Sequence, residues 1–170
     1  SFPLQKWIEE NRHLLQPPVG NKVIWKDQEF IVMAVGGPNA RTDYHVNQSE
    51  EFFYQLEGNL VLKIISPQGK REDIEIPAGN VFLLQAGIPH SPQRSAGSVG
   101  LVIERRRRDQ EIDGLQWYCE SCGEKLYEEL LIGDNVEGTS HPLIMRAQEK
   151  ELHWDELQTY LQQLDQACRD

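Results

Sequence analysis

From Lys22 to about Arg106 the chain is cut into short β-forming runs by glycine, proline and asparagine turns at near-regular spacing. Val23–Trp25, Phe30–Val35, Thr42–His45, Phe52–Gln55, Leu60–Ile65, Asp73–Ile76, Val81–Leu84 and Val99–Glu104 are the strand candidates. The turns between them carry Lys26-Asp27, Gly36-Gly37-Pro38-Asn39, Glu57-Gly58-Asn59, Pro67-Gln68-Gly69, Pro77-Ala78-Gly79 and Gly87-Ile88-Pro89. Many short strands with such turns bury their apolar faces only against one another, so the pattern predicts a sandwich or barrel, with a jelly roll as the leading form.

Before this block, Leu4, Trp7, Ile8, Leu14 and Leu15 fall at near-helical spacing and Pro17-Pro18 closes the segment, which predicts a short amphipathic helix. After Asp109 the character changes: Leu115–Leu131 carries a cysteine pair, Gly133–Ser140 reads as a loop, and Glu149–Cys168 carries an apolar stripe of helical spacing. The expected organisation is a catalytic domain over residues 1–110, N-terminal helix included, and a C-terminal extension over residues 111–170 whose helix packs on the barrel or on a second subunit.

The net charge of −10 disfavours nonspecific binding to nucleic acid. Arg105–Arg108 is too short a basic run to reverse that and reads as a solvated strand end. No apolar run approaches the roughly 18 residues of a membrane span, and no signal layout opens the chain, so no membrane partner and a cytoplasmic location are expected. Three cysteines argue against a disulfide framework. Cys119-x-x-Cys122-Gly123 looks like half of a zinc knuckle and is a candidate second, structural metal site, with Cys168, His141 or a partner chain completing the four ligands. The competing reading is a reduced pair in a turn.

The chemistry lies in Arg41–Gly58. Arg41, Asp43 and His45 alternate, so a strand there places a guanidinium, a carboxylate and an imidazole on one face. Two histidines and one carboxylate hold Fe(II) on one octahedral face and leave positions open for substrate and O2. His45 and Glu51 are separated by five intervening residues across a turn, and Gly87-Ile88-Pro89-His90 aims a further imidazole from a rigid turn. A lone histidine at a strand end is more often merely hydrogen-bonded, and His13, His141 and His153 keep that reading.

The surroundings of His45 and His90 resemble the cupin superfamily. Gly37, Asp43-Tyr44-His45, Glu51 and Gly58 fill the frame of the first cupin motif, and Gly79–His90 that of the second. Asp43 stands where the first histidine is usual, and Gln85 where a proline is common. The blocks Arg-Thr-Asp-Tyr-His, Glu-Glu-Phe-Phe-Tyr-Gln, His-Ser-Pro-Gln-Arg and Val-Ile-Glu-Arg, in that order, resemble the 3-hydroxyanthranilate 3,4-dioxygenase family from about residue 2 to residue 123. The resemblance implies a cupin jelly roll and Fe(II) held by His45, Glu51 and His90. It implies Arg41 and Arg94 on the substrate carboxylate, Glu104 on the hydroxyl and amine side, Asn21 near the O2 position, and a homodimer. The implied reaction opens the ring of 3-hydroxyanthranilate with O2 to 2-amino-3-carboxymuconate semialdehyde, a step of tryptophan degradation through kynurenine that leads to quinolinate and NAD. Bacterial members add a second Cys-x-x-Cys near the C-terminus, which this chain lacks.

Three expectations remain open on the residues alone. Asp43 either orients a ligand imidazole or is a packed strand-end carboxylate. Glu104 is a general base, an ion-pair partner of Arg41 or Arg94, or both in turn. Phe53 lines the ring pocket, while Tyr54 packs outward. The rivals in function are another cupin metalloenzyme and a non-catalytic cupin that binds a small aromatic carboxylate.

Overall fold

The computed structural model describes residues 1–17, 20–26, 28–39, 41–132, 159–163 and 166–167. The loop expected over 133–140, most of the tail helix, and His141 and Cys168 lie outside these residues.

The alternating apolar runs form antiparallel strands. They are β1 (Asn21–Trp25), β2 (Phe30–Gly36), β3 (Tyr44–Val46), β4 (Glu51–Glu57), β5 (Asn59–Ile65), β6 (Arg71–Pro77), β7 (Val81–Leu84), β8 (His90–Arg94), β9 (Val99–Arg105), β10 (Ile112–Tyr118) and β11 (Lys125–Ile132). They build two sheets, in the orders β1-β2-β9-β4-β7 and β11-β10-β3-β8-β5-β6. Period-2 alternation sends Phe53, Leu60, Leu62, Ile64, Ile76, Leu84 and Val102 inward, and these buried side chains form the main core. This is the two-sheet, all-β architecture that the turn pattern predicts. The left-handed turn between β4 and β5 needs Gly58 (φ 64°), where a Cβ would also lie 2.9 Å from the Ser98 side chain.

Helix α1 (Leu4–Asn11), followed by a 3-10 turn at Arg12–Leu14, covers part of the outer face of the five-stranded sheet. Ile8 and Leu15 are buried there with Ala34 and Val99. The fit is close at Gly36, where a Cβ would come within 2.0 Å of the Leu15 carbonyl oxygen.

His90–Arg94 is the strand that the turn Gly87-Ile88-Pro89 leads into, although Pro92 interrupts its β pattern. One expectation is corrected. Residues 112–132 do not form a separate extension: β10 pairs with β3 (Leu115 opposite His45) and β11 with β10, so both belong to the six-stranded sheet and the barrel domain passes residue 110. The signal was present in Asp113, Leu115 and Trp117, which alternate on one face, but Gly114 and Gln116 between them hide the strand. Residues 159–163 are helical, and Leu161 is buried with Leu115 and Trp117, so this piece of the tail packs on β10.

Candidate active site

The inner faces of the two sheets meet at a polar cluster. Glu51 and Glu104 face inward from paired strands of one sheet, opposite each other in register. His45 and His90 are likewise paired across β3 and β8 of the other. His45, Glu51 and His90 each bring one ligand atom to within 4.8 Å of the other two. Glu51 Oε1 lies 3.7 Å from His45 Nδ1, and Glu51 Oε2 lies 3.3 Å from His90 Nε2.

The second partners of the imidazoles decide what this cluster can do. His45 Nε2 lies 2.8 Å from Asp113 Oδ2, and His90 Nδ1 lies 3.0 Å from the Ile88 carbonyl oxygen. A carboxylate and a carbonyl only accept, so each of these ring nitrogens carries the proton. The other nitrogen of each ring then turns a lone pair toward Glu51. Two lone pairs facing a carboxylate repel one another unless a cation or a proton lies between them. The donor set of two imidazoles and one carboxylate, with both tautomers fixed from behind, therefore fits a divalent transition metal. Burial lowers the His45 pKa. It acts the same way on His90, but there the Glu51 carboxylate outweighs it and the net shift is upward. Burial also opposes ionisation of Glu51, yet the His90 and His45 charges hold its carboxyl far below the ordinary range.

Three residues close around the cluster that the sequence reading did not single out. Asn47, buried, donates from Nδ2 to Glu51 Oε1 at 2.6 Å and to Glu104 Oε2 at 3.4 Å. Asp113 buttresses His45. Arg107 binds Glu104 Oε2 through Nη1 at 2.7 Å and Asp113 Oδ2 through Nη2 at 2.8 Å. Its side chain is only 13% exposed, so it leaves the expected solvated run of arginines and enters the interior. The ion-pair partner expected for Glu104 was Arg41 or Arg94; it is Arg107. Burial and the Glu51 charge push Glu104 up to about 7 against the pull of Arg107. Burial raises Asp113 too, but its bonds to His45 and Arg107 prevail and leave it lowered, hence ionised.

Arg94, on β8, is buried on the same interior face as His90. Its Nη1 donates to Gln55 Oε1 at 3.1 Å, its Nε is buried without a partner, and among the described residues no carboxylate forms an ion pair with it. Desolvation lowers its pKa to about 10. Gly100 leaves the room: a Cβ there would lie 2.7 Å from Gln55 Oε1 and 2.9 Å from Arg94 Nη1. Arg41 and Asp43 precede β3 and pair with each other, Nη2 to Oδ2 at 2.5 Å. Asp43 thus grips an arginine, and the buttress of His45 is Asp113. Asn21 opens β1 on the row Asn21–Val35–Gly100–Gln55, with its Oδ1 buried and unpartnered. That row lies four residues along β9 from Glu104, about 13 Å at strand spacing. The Phe53 ring meets His90 edge-on at 6.3 Å, on the inner wall as expected. Tyr54 takes the opposite face of β4.

Among the described residues the cysteine pair gathers no metal site. Cys119 is a free, buried thiol whose Sγ accepts from the Ser121 and Cys122 amides at 3.4 Å, and Cys122 is disulfide-bonded. A disulfide sulfur has no thiolate to offer a metal.

A family model described as 3-hydroxyanthranilic acid dioxygenase matches residues 1–148. The chain belongs to this family. The match takes in every residue of the cluster, the dioxygenase family's span reaching past β10 and β11. Among curated relatives named 3-hydroxyanthranilate 3,4-dioxygenase, one from Xanthomonas euvesicatoria pv. vesicatoria is 58% identical over 143 residues, covering 84% of this chain and 80% of the relative. Another, from Bacillus cereus, is 51% identical over 127 residues, covering 75% and 71%. Among solved structures, a cupin-2 domain containing protein from Shewanella frigidimarina superposes with a TM-score of 0.48 at 18% identity, over 61% of this chain and 100% of that one. No helix among the described residues is long and apolar enough to cross a membrane.

Proposed function

We propose that the chain is an Fe(II)-dependent dioxygenase that opens the ring of 3-hydroxyanthranilate, as its relatives' name describes. The observation that carries this reading is one interior holding three kinds of group: the His45–Glu51–His90 triad, a carboxyl poised near neutrality at Glu104, and a buried guanidinium at Arg94 that pairs with no carboxylate among the described residues. Fe(II) held by the triad would bind O2 and an ortho-aminophenol together and relay electron density between them, which a triplet O2 and a closed-shell ring cannot achieve directly.

The chain's own residues supply the rest. Arg94 offers the substrate carboxylate a directional, charge-assisted contact from a buried position, where such bonds are stronger than in water. Arg41, held in place by Asp43, adds a second cation; its charge is already felt at His90. Together they fix the ring relative to the triad, and positioning lowers the barrier. Glu104, with its pKa near 7, accepts the phenolic proton as the hydroxyl enters, and Arg107 stays beside it. Asn21, whose Oδ1 is buried and unpartnered, is the residue that the family resemblance assigns to the O2 position. Phe53 contributes apolar wall. Both atoms of O2 enter the product, 2-amino-3-carboxymuconate semialdehyde, so no external reductant is consumed. The same reading places the step in kynurenine-route tryptophan breakdown towards quinolinate, in the cytoplasm, in a homodimer.

The test is product identification under ¹⁸O2 by mass spectrometry. Incorporation of both labelled atoms, lost in His45→Ala and weakened in Arg41→Ala, supports the reading. Full metal loading with no conversion of 3-hydroxyanthranilate would reject it and leave another cupin metalloenzyme or a binding protein.

A further inference from the structure

We propose that Arg107 is a positioning residue that ties the metal-facing imidazole of His45 to the substrate-facing carboxylate of Glu104, so that one guanidinium sets both the metal geometry and the seat of the ring. The inference rests in part on the proposed reaction, through the role given to Glu104; its metal half does not.

Arg107 is the joint of a continuous chain of contacts. From one side it binds Asp113 at 2.8 Å through Nη2 and at 3.1 Å through Nε, and Asp113 Oδ2 accepts from His45 Nε2 at 2.8 Å. That last contact fixes which ring nitrogen of His45 faces Glu51. From the other side Arg107 binds Glu104 at 2.7 Å, and Asn47 bridges Glu104 back to Glu51. A planar fork with donors on several edges can satisfy two carboxylates at once; a lysine ammonium is a single point. Without Arg107, Asp113 and Glu104 are two buried carboxylates with no cation between them. One of them is then driven to reorient, and the tautomer of His45 or the aim of Glu104 goes with it. The Arg107 charge also acts on Glu51 through space, while its bonds run to Asp113 and Glu104, and it is through these bonds that it positions the two sides.

The experiment compares Arg107→Gln, Arg107→Lys, Asp113→Asn and Glu104→Gln with the wild type. Each metal-free protein is titrated anaerobically with Co(II) alone, followed by the visible ligand-field absorption. The Fe(II)-loaded proteins are then assayed for kcat and KM. Asp113→Asn is expected to weaken Co(II) binding tenfold or more with KM within twofold, since buttresses of metal-bound histidines typically carry 10- to 100-fold in affinity. Glu104→Gln is expected to lower turnover with Co(II) affinity within twofold. Arg107→Gln is expected to do both. If that variant does not fold, Arg107→Lys decides: it keeps the charge but spans only one carboxylate, and at least a fivefold loss in Co(II) affinity or in kcat is expected.

A folded Arg107 variant within twofold of wild type in both readouts overturns the proposal. If the wild type binds Co(II) yet converts no aminophenol, the proposed function fails, while the metal titration still decides the link from Arg107 through Asp113 to His45.

Discussion

Replacing Arg94 by methionine should destroy substrate selection without harming the fold, and the structure gives the size of both effects. The guanidinium is buried, its Nε is unpartnered, and its donor contact is to a neutral amide. At about 1.4 kcal/mol per pH unit, the fall from the ordinary guanidinium value of 12.5 to about 10 corresponds to about 3 kcal/mol held against the substrate-free protein. A folded value below the unfolded one means that this penalty is fully present below pH 10, hence at pH 7, and is relieved only as the pH rises beyond it. Methionine fills a similar volume with no charge to desolvate, but it strands Gln55 Oε1, which costs about 1–3 kcal/mol. The expected net is a protein as stable as wild type or up to about 2 kcal/mol more stable, equivalent to a Tm rise of at most about 8 °C. Against substrate the sign reverses. Loss of a charge-assisted bond to the carboxylate is worth about 1.5–3 kcal/mol, or roughly a 10- to 150-fold fall in kcat/KM. Thermal unfolding of the metal-free variant and steady-state O2 consumption read the two effects separately. A variant destabilised by more than about 2 kcal/mol, or one that keeps kcat/KM within tenfold, would refute the reasoning.

The same geometry fixes other outcomes. Gly100→Ala places a methyl against both Gln55 Oε1 and Arg94 Nη1, so it should cost about 1–3 kcal/mol in denaturant unfolding and raise KM more than it lowers kcat. Asn47→Ala removes the donor from Glu51 Oε1 and should weaken metal binding by about tenfold in a chelator competition. The raised carboxyl of Glu104 stabilises the protein at low pH, and that contribution is lost as the pH rises from the ordinary carboxylate value to about 7. Metal-free wild type should therefore lose stability against Glu104→Gln across that window, as denaturant unfolding at a series of pH values would read. Elemental analysis should find one metal per chain in wild type and in Cys119→Ser, and none in His45→Ala.

Much of this site was legible in the sequence because its parts announce themselves locally. The turn residues mark the strand ends, and the spacing from Gly37 to Gly58 places His45 and Glu51 across one tight turn. Gly87-Ile88-Pro89 aims His90. What stayed hidden depends on contacts between distant segments. Asp113 serves His45 only because β10 docks beside β3, and no local pattern states that pairing. Arg107 sits in a run of four arginines whose composition suggests solvent; burial of this one follows from two carboxylates, one three residues before it and one six residues after it, which converge from β9 and β10. The cysteine pair misled for the opposite reason. Its local pattern is that of a metal knuckle, down to the amide bonds to Cys119 Sγ, but Cys122 is committed to a disulfide.

The most direct measurement is the stoichiometry of O2 uptake when 3-hydroxyanthranilate is mixed with anaerobically Fe(II)-loaded protein and air-saturated buffer, with the absorbance of the semialdehyde followed in parallel. One O2 consumed per substrate, matched by one semialdehyde formed and abolished by His45→Ala, is the predicted result. Iron-replete wild-type protein that consumes no O2 with this substrate would contradict the account at its centre.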